Sequence, residues 1–151
     1  MEVARSIEIF RPIDEVFALV ADARNDPKWC PKVISAVQLV GNGPGRGARY
    51  EVVHRPLPMR PPSKMTVECV GWEPPEHIQW RENDGIDDIQ VLYALSDRGG
   101  STGLTQRSFL KPSTPQRLRP IMLRPIMRHR SGREIELQLE VLKKLLEGHP
   151  S

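Results

Sequence analysis

The side chains best suited to proton transfer or to carbonyl polarisation fall on predicted strands. Tyr50 and His54 flank Val52 at a spacing of two, so the alternation of a strand points both to one face. A histidine with its ordinary pKa of about 6.5 can act as general acid or base near neutral pH, and a tyrosine hydroxyl can polarise a carbonyl. The alternative for His54 is a solvated position at the end of the strand, beside Arg55 and Pro56.

A second set of polar side chains is predicted on an otherwise apolar strand face. It consists of Tyr93, Gln106 and Ser108, whose neighbours on that face are aliphatic or Trp80. Polar groups on a core face need hydrogen-bond partners, which a bound ligand or ordered water supplies. The alternative is that these groups bond to each other or to the backbone. We expect Arg49 and Arg107, which alternate with these residues, to point outward.

Motifs for metal, phosphate and nucleophile chemistry are absent from the sequence. The glycine-rich stretch at 41–47 lacks the Lys-Ser/Thr of a phosphate-binding loop and precedes a strand rather than a helix. The histidines and the two cysteines, Cys30 and Cys69, have no metal-ligand spacing, and no GxSxG motif occurs. We therefore predict no metal site and no cofactor.

Charge is distributed unevenly along the chain. Positions 117–133 hold six arginines and no acidic residue, whereas acidic residues collect at Glu82, Asp84, Asp87 and Asp88. The arginine segment is interpreted as a solvated basic face, as a surface for anionic membranes, or as a docking site for an acidic protein. It contains no aromatic residue for base stacking, so no nucleic-acid partner is expected.

Length and composition favour one globular domain. The chain has 151 residues, 22 basic against 19 acidic, and 15 prolines, which is about twice the usual frequency. So many prolines exclude a simple bundle of long helices. We predict a single domain over 1–148 with a tail at 149–151, and a cytoplasmic location, because no signal peptide, membrane span or cysteine framework is evident.

Hydrophobic periodicity gives the order of the elements. A strand over 3–11 leads through Pro12 into a short helix, and a second helical turn is predicted over 22–31. Strands joined by tight turns follow for about eighty residues, and must therefore be antiparallel. An amphipathic helix is predicted over 134–147, and Pro120 and Pro125 are expected to interrupt the segment before it.

Three predicted turns bring the apolar residues of the strands to one side of the sheet. A turn at Pro74-Pro75 places Cys69 opposite Trp80 and Gly71 opposite Ile78. A turn at Asp84-Gly85 places Trp80 opposite Ile89 and Ile78 opposite Val91. A turn at Gly99-Gly100 gives four further pairs, which are Leu95 with Leu104, Tyr93 with Gln106, Val91 with Ser108, and Ile89 with Leu110.

The order of these motifs resembles the START-like, or SRPBCC, helix-grip superfamily, and within it the polyketide cyclase/dehydrase and lipid-transport group. The matching stretches are 12–17, 22–29, 47–50, 72–75, 99–102 and the helix at 137–146. The resemblance implies an α+β fold with a curved antiparallel sheet of about six to seven strands wrapped around a long C-terminal helix, and two short helices after the first strand. The doubled LRPIM at 118–127 departs from the family pattern.

The resemblance also implies a cavity between the sheet and the last helix, which holds a small hydrophobic molecule such as a lipid, a polyketide or an isoprenoid. The protein would then be a carrier or sensor. The first alternative is an aromatase/cyclase-like enzyme that uses Tyr50, His54, Tyr93 and Gln106; the second is an interaction subunit that docks through 117–133. The expected ligand-binding residues are Tyr50, His54, Cys69, Trp80, Tyr93, Gln106, Ser108, Leu139 and Leu142, with Trp29, Met59 and Ile121 at the entrance.

Overall fold

The fold is taken from a computed structural model that describes residues 2–55, 63–83, 87–112 and 124–148. Its helices are α1 (Ile13–Val20), α2 (Asp26–Trp29) and α3 (Arg124–Glu147), with one 3₁₀ turn over Ala23–Asn25. Its strands are β1 (Glu2–Ile9), β2 (Val33–Val40), β3 (Arg49–His54), β4 (Ser63–Glu73), β5 (His77–Asn83), β6 (Asp87–Asp97) and β7 (Thr102–Pro112).

The strands form one curved antiparallel sheet, in the order β1-β7-β6-β5-β4-β3-β2. α3 lies on its concave face and buries Ile135, Leu139 and Leu142 against it. Polar contacts fix the helix to β1 at the sheet edge: the Lys143 ammonium donates a hydrogen bond of 2.7 Å to the Glu8 carbonyl. This is the predicted α+β helix-grip fold, since a one-sided sheet needs a cover and α3 supplies it.

The short helices after β1 begin at residues suited to helix starts. Pro12 precedes α1, and its carbonyl accepts hydrogen bonds from the Glu15 and Val16 amides at 3.1 and 3.3 Å. The Asp22 carboxylate accepts from the Arg24 amide at 3.0 Å and so caps the 3₁₀ turn. These helices cover one end of the concave face of the sheet, with Val16, Phe17 and Val20 in the core.

The predicted strand pairing is confirmed between β6 and β7 and is partly wrong elsewhere. All four predicted β6–β7 pairs occur, as does Cys69 opposite Trp80. Gly71 lies opposite Gln79 rather than Ile78, because a bulge follows Cys69. A Cβ atom at Gly71 would stand 2.9 Å from the Gln79 Cβ atom, so the bulged site leaves no room for a side chain.

The pairing of β5 with β6 differs from the prediction by two residues. Trp80 lies opposite Val91 and Ile78 opposite Tyr93. The turn that sets this register, at 84–86, lies outside the described residues. Because side chains alternate with a period of two, the shift leaves the same residues on the concave face.

α3 begins at Arg124 rather than at 134. Pro125 is its second residue, where an amide hydrogen would have no partner within the helix, so this proline does not interrupt it. Gly132 lies inside the helix, and a Cβ atom there would collide with the guanidinium of Arg5. Residues 118–122, the first LRPIM, lie outside the described residues.

Candidate ligand cavity

A cavity of about 130 Å³ lies between α2, the concave face of the sheet and α3. This is smaller than the roughly 300–1,000 Å³ of pockets for drug-sized ligands. Its walls combine aliphatic side chains with an unusual share of polar ones. The lining residues are Asp26, Cys30, Lys32, Val33, Val52, His54, Val67, Glu82, Ile89, Val91, Tyr93, Gln106, Ser108, Glu134, Ile135 and Gln138.

Two buried amides join the helix to the sheet across the wall of the cavity. Gln138 on α3 donates a hydrogen bond of 2.7 Å from Nε2 to the Oε1 atom of Gln106 on β7. Each residue is only 5% exposed. The bond uses one donor and one acceptor, so the Gln106 amide nitrogen and the Gln138 amide oxygen keep capacity that no described residue satisfies.

Tyr93 presents a second polar group to the cavity. It is 6% exposed, and among the described residues none forms a hydrogen bond with its hydroxyl. Its ring packs edge-on against Trp29, with 6.1 Å between the ring centroids. Burial raises the pKa of Tyr93 well above its ordinary value, so the hydroxyl keeps its proton and is available to a ligand.

Carboxyl groups enter the cavity from α2 and β5. Asp26, the first residue of α2, and Glu82, on β5, are half-buried. Burial raises the pKa of Asp26 well above its ordinary value, and the nearby charge of Glu82 adds to the shift, while Lys32 opposes it. Burial also raises the pKa of Glu82. Lys32 lies 3.9 Å from the Glu134 carboxylate at the same site.

The thiol of Cys30 lines the cavity but is poorly suited to nucleophilic chemistry. Burial raises its pKa well above the ordinary value, and the negative charge of Asp26 acts in the same direction. The thiolate is the reactive form, so this environment favours the inert thiol. Both cysteines are free and buried.

Four predicted ligand-binding residues line the cavity and five do not. His54, Tyr93, Gln106 and Ser108 are in the wall. The remaining five belong to the packed core and are absent from the cavity lining. They are Tyr50, Cys69, Trp80, Leu139 and Leu142, none more than 4% exposed.

Of the three residues predicted at the cavity entrance, one lies in the core and two fall outside the described residues. Trp29 is 1% exposed and belongs to the core, because α2 turns its ring inward onto Tyr93. Met59 and Ile121 fall outside the described residues. Most of the arginine segment also lies outside the described side chains; Arg133 is exposed and lies 3.5 Å from the Glu136 carboxylate. Docking through that segment therefore stays a prediction.

The polar residues missed from the sequence are Asp26, Glu82 and Gln138. Glu82 lies at a spacing of two from Trp80 and four from Ile78, so strand alternation places it on the concave face with them. It was not predicted there because a glutamate on a strand is usually solvated. Gln138 lies beside Leu139 within the wide apolar face of α3. Arg49 and Arg107 point outward as predicted, 3.4 Å from Glu68 and 3.1 Å from Glu2.

Two further classes of site were searched for. Over the described ranges, no group of three or more histidine, cysteine, aspartate or glutamate residues is arranged to hold a metal ion. Among the helices in the described part of the chain, none is long and apolar enough to cross a membrane.

Comparison with known proteins adds relatives of the same fold. Among solved structures, the protein TTHA0849 from Thermus thermophilus superposes with a TM-score of 0.78 at 16% identity, over 100% of each chain. A START superfamily protein from Mycobacterium smegmatis gives 0.77 at 15%, over 99% of each chain. Zhui aromatase/cyclase from a Streptomyces species gives 0.76 at 14%, over 97% of this chain and 93% of the other.

At such identities the structural relatives establish the fold alone. A search of the curated proteins found no match. The model of the family described as polyketide cyclase / dehydrase and lipid transport matches residues 1–147, nearly the whole chain. The chain therefore belongs to the polyketide cyclase/dehydrase and lipid transport family.

Proposed function

We propose that the protein binds a small, mainly hydrophobic molecule in the cavity between α3 and the sheet, as a carrier or sensor. The observation that carries this proposal is that Tyr93, Gln106 and Gln138 turn hydrogen-bonding groups without a described partner onto the cavity wall. A ligand with an apolar body and at least one polar group can bond to these groups and contact the aliphatic walls.

The test is native mass spectrometry of protein purified from cells, with a variant that fills the cavity. Ser108 lines the cavity on β7, so Ser108→Phe should displace a co-purified small molecule. The control is Ser6→Phe, because Ser6 is exposed on β1 and is absent from the cavity lining. Co-purification with the wild type and with Ser6→Phe, and its loss in Ser108→Phe, supports the proposal. Equal occupancy in all three proteins would refute binding in this cavity.

A second candidate is an aromatase/cyclase-like enzyme acting in the same cavity. The observation in its favour is the proximity of proton-bearing groups, namely the Tyr93 hydroxyl, His54 and the Asp26 and Glu82 carboxyls whose pKa values are raised. Such groups could polarise a carbonyl and move a proton during ring closure.

The enzyme hypothesis makes its own prediction. A short poly-β-ketone thioester would serve as substrate, and the formation of an aromatic product would be followed by absorbance. His54→Ala and Tyr93→Phe should abolish turnover while leaving the melting temperature nearly unchanged. Product formation at the wild-type rate in both variants would eliminate the enzyme and leave the carrier.

A further inference from the structure

Among the described residues that line the cavity, acidic side chains outnumber basic ones. They are the carboxyl groups of Asp26, Glu82 and Glu134, against the ammonium group of Lys32 and the imidazole of His54. Lys32 lies 3.9 Å from the Glu134 carboxylate, and its charge also opposes the raised pKa of Asp26 and of Glu82, so one ammonium group serves all three carboxyl groups. No described residue donates a hydrogen bond to the side-chain carboxyl group of Asp26 or Glu82.

The neutral polar groups on the same wall are a second reason to expect a ligand. Tyr93 and Gln106 are each more than nine-tenths buried, and both line the cavity with unused hydrogen-bonding capacity. Exchanging the oxygen and nitrogen of both amides would not alter this, since the Gln106–Gln138 pair leaves one donor and one acceptor in either orientation. The described wall thus offers donors from Tyr93, Ser108 and an amide, beside acceptors from the carboxyl groups and an amide oxygen.

We infer that the ligand carries a protonated amine, which is held between the carboxyl groups of Asp26 and Glu82. This inference rests on the proposed function, whose site it uses. An ammonium group offers three donors and a positive charge, which favours the charged form of both carboxyl groups, and their protons pass to solvent when the amine binds. An alkyl or ring body of the same ligand lies against the aliphatic side chains, such as Val52, Val91 and Ile135.

The same groups select against anionic lipids. A fatty-acid carboxylate or a phosphate adds a negative charge beside these two carboxyl groups in a poorly solvated site, where it binds only if both of them stay protonated. Like charges at such a site repel each other more strongly than they do in water. The cavity is thus expected to prefer a cation over a neutral molecule of the same size, and a neutral molecule over an anion.

Three probes with the same hydrocarbon chain distinguish a preference for a cation, a neutral molecule or an anion. Hexylammonium, 1-hexanol and hexanoate have the same six-carbon chain and differ in their polar end. Their dissociation constants would be measured by isothermal titration calorimetry on the full chain at neutral pH. Hexylammonium should bind at least about tenfold more tightly than 1-hexanol, because hydrogen bonds to charged groups are the stronger class. Hexanoate should bind most weakly.

Variants test whether the carboxyl groups of Asp26 and Glu82 cause the preference for hexylammonium. Glu82→Gln should weaken hexylammonium about tenfold and leave 1-hexanol unchanged; Asp26→Asn is the second variant and should do the same. Lys32→Met, which removes the opposing cation, should strengthen hexylammonium binding. The matched control is Glu140→Gln, because Glu140 is exposed on α3 and is absent from the cavity lining.

Each result decides between two claims. Hexanoate or 1-hexanol binding as tightly as hexylammonium would overturn the amine inference and leave the cavity as a ligand site. Equal losses of hexylammonium and 1-hexanol in Glu82→Gln and Asp26→Asn would also overturn it, since both residues would then only shape the cavity. If no probe binds and no small molecule co-purifies, the proposed function itself fails.

Discussion

The hydrogen bond between Gln106 and Gln138 should stabilise the packing of α3 on the sheet at the cavity. Replacing either glutamine by methionine keeps the length of the side chain and removes its amide. Each single variant leaves the other amide buried, at 5% exposure, without its partner. A buried polar group that loses its partner costs about 1–3 kcal/mol. Each single substitution should therefore lower the free energy of unfolding by about that amount.

The double variant separates this bond from general effects of substitution. Gln106→Met with Gln138→Met leaves no amide to be satisfied, and two thioether side chains can pack against each other. Replacing both partners by apolar groups can be nearly neutral. The double variant should therefore be less destabilised than the sum of the singles by about 1–2 kcal/mol.

Urea denaturation followed by circular dichroism gives these free energies. An unchanged slope against urea concentration shows that the unfolded reference is the same for all four proteins. For a domain of this size each kcal/mol also shifts the melting temperature by about 2–4 °C, which offers a second readout. Additivity of the two substitutions within about 0.3–0.5 kcal/mol would show that the bond does not couple the helix to the sheet, and would refute the reasoning.

Two further predictions concern the carboxyl groups and the core. Folding raises the pKa of Asp26 and Glu82 through burial, so their contribution to stability is full below the unfolded pKa and is lost as pH rises through the folded pKa. Asp26→Asn and Glu82→Gln should therefore be more stable than wild type at neutral pH, and should lose less of their melting temperature as pH rises above about 4. Lower stability of both variants at neutral pH would contradict this. Leu142→Ala should lower the free energy of unfolding by about 2–5 kcal/mol, because Leu142 is fully buried. Leu145→Ala should lower it by about 0.5 kcal/mol, because Leu145 is 45% exposed. Equal losses in urea denaturation would contradict the packing of the Leu142 face of α3 on the sheet.

The faces of the strands could be predicted from the sequence because alternation survives errors in register. The β5–β6 pairing was wrong by two residues, yet Ile78 and Trp80 still lie on the concave face with Val91 and Tyr93. The bulge beside Gly71 could not be predicted, since it depends on the close approach of Gln79 from the neighbouring strand. The start of α3 was also missed, because a proline was expected to interrupt the helix, whereas Pro125 is tolerated in the first turn.

The cavity was predicted less well than the fold. His54 and Gln106 were found because they sit on a predicted concave face. Tyr50 shares that face and is nevertheless packed in the core, since alternation tells which side a residue faces but not where along the strand the helix leaves a gap. Asp26 and Glu82 were missed because carboxylates are normally solvated, and only the assembled fold brings them to one cavity.

The most direct test of ligand binding under α3 is to map the shifts of amide resonances when a probe is added. Hexylammonium and 1-hexanol would be titrated in turn into ¹⁵N-labelled protein, and two-dimensional NMR spectra recorded. Ligand binding in the cavity predicts that the side-chain amides of Gln106 and Gln138 shift together with the backbone amide of Tyr93, while that of Leu145, on the exposed side of α3, stays in place. Saturable shifts confined to Leu145 and its exposed neighbours, or no saturable shift with either probe, would contradict it.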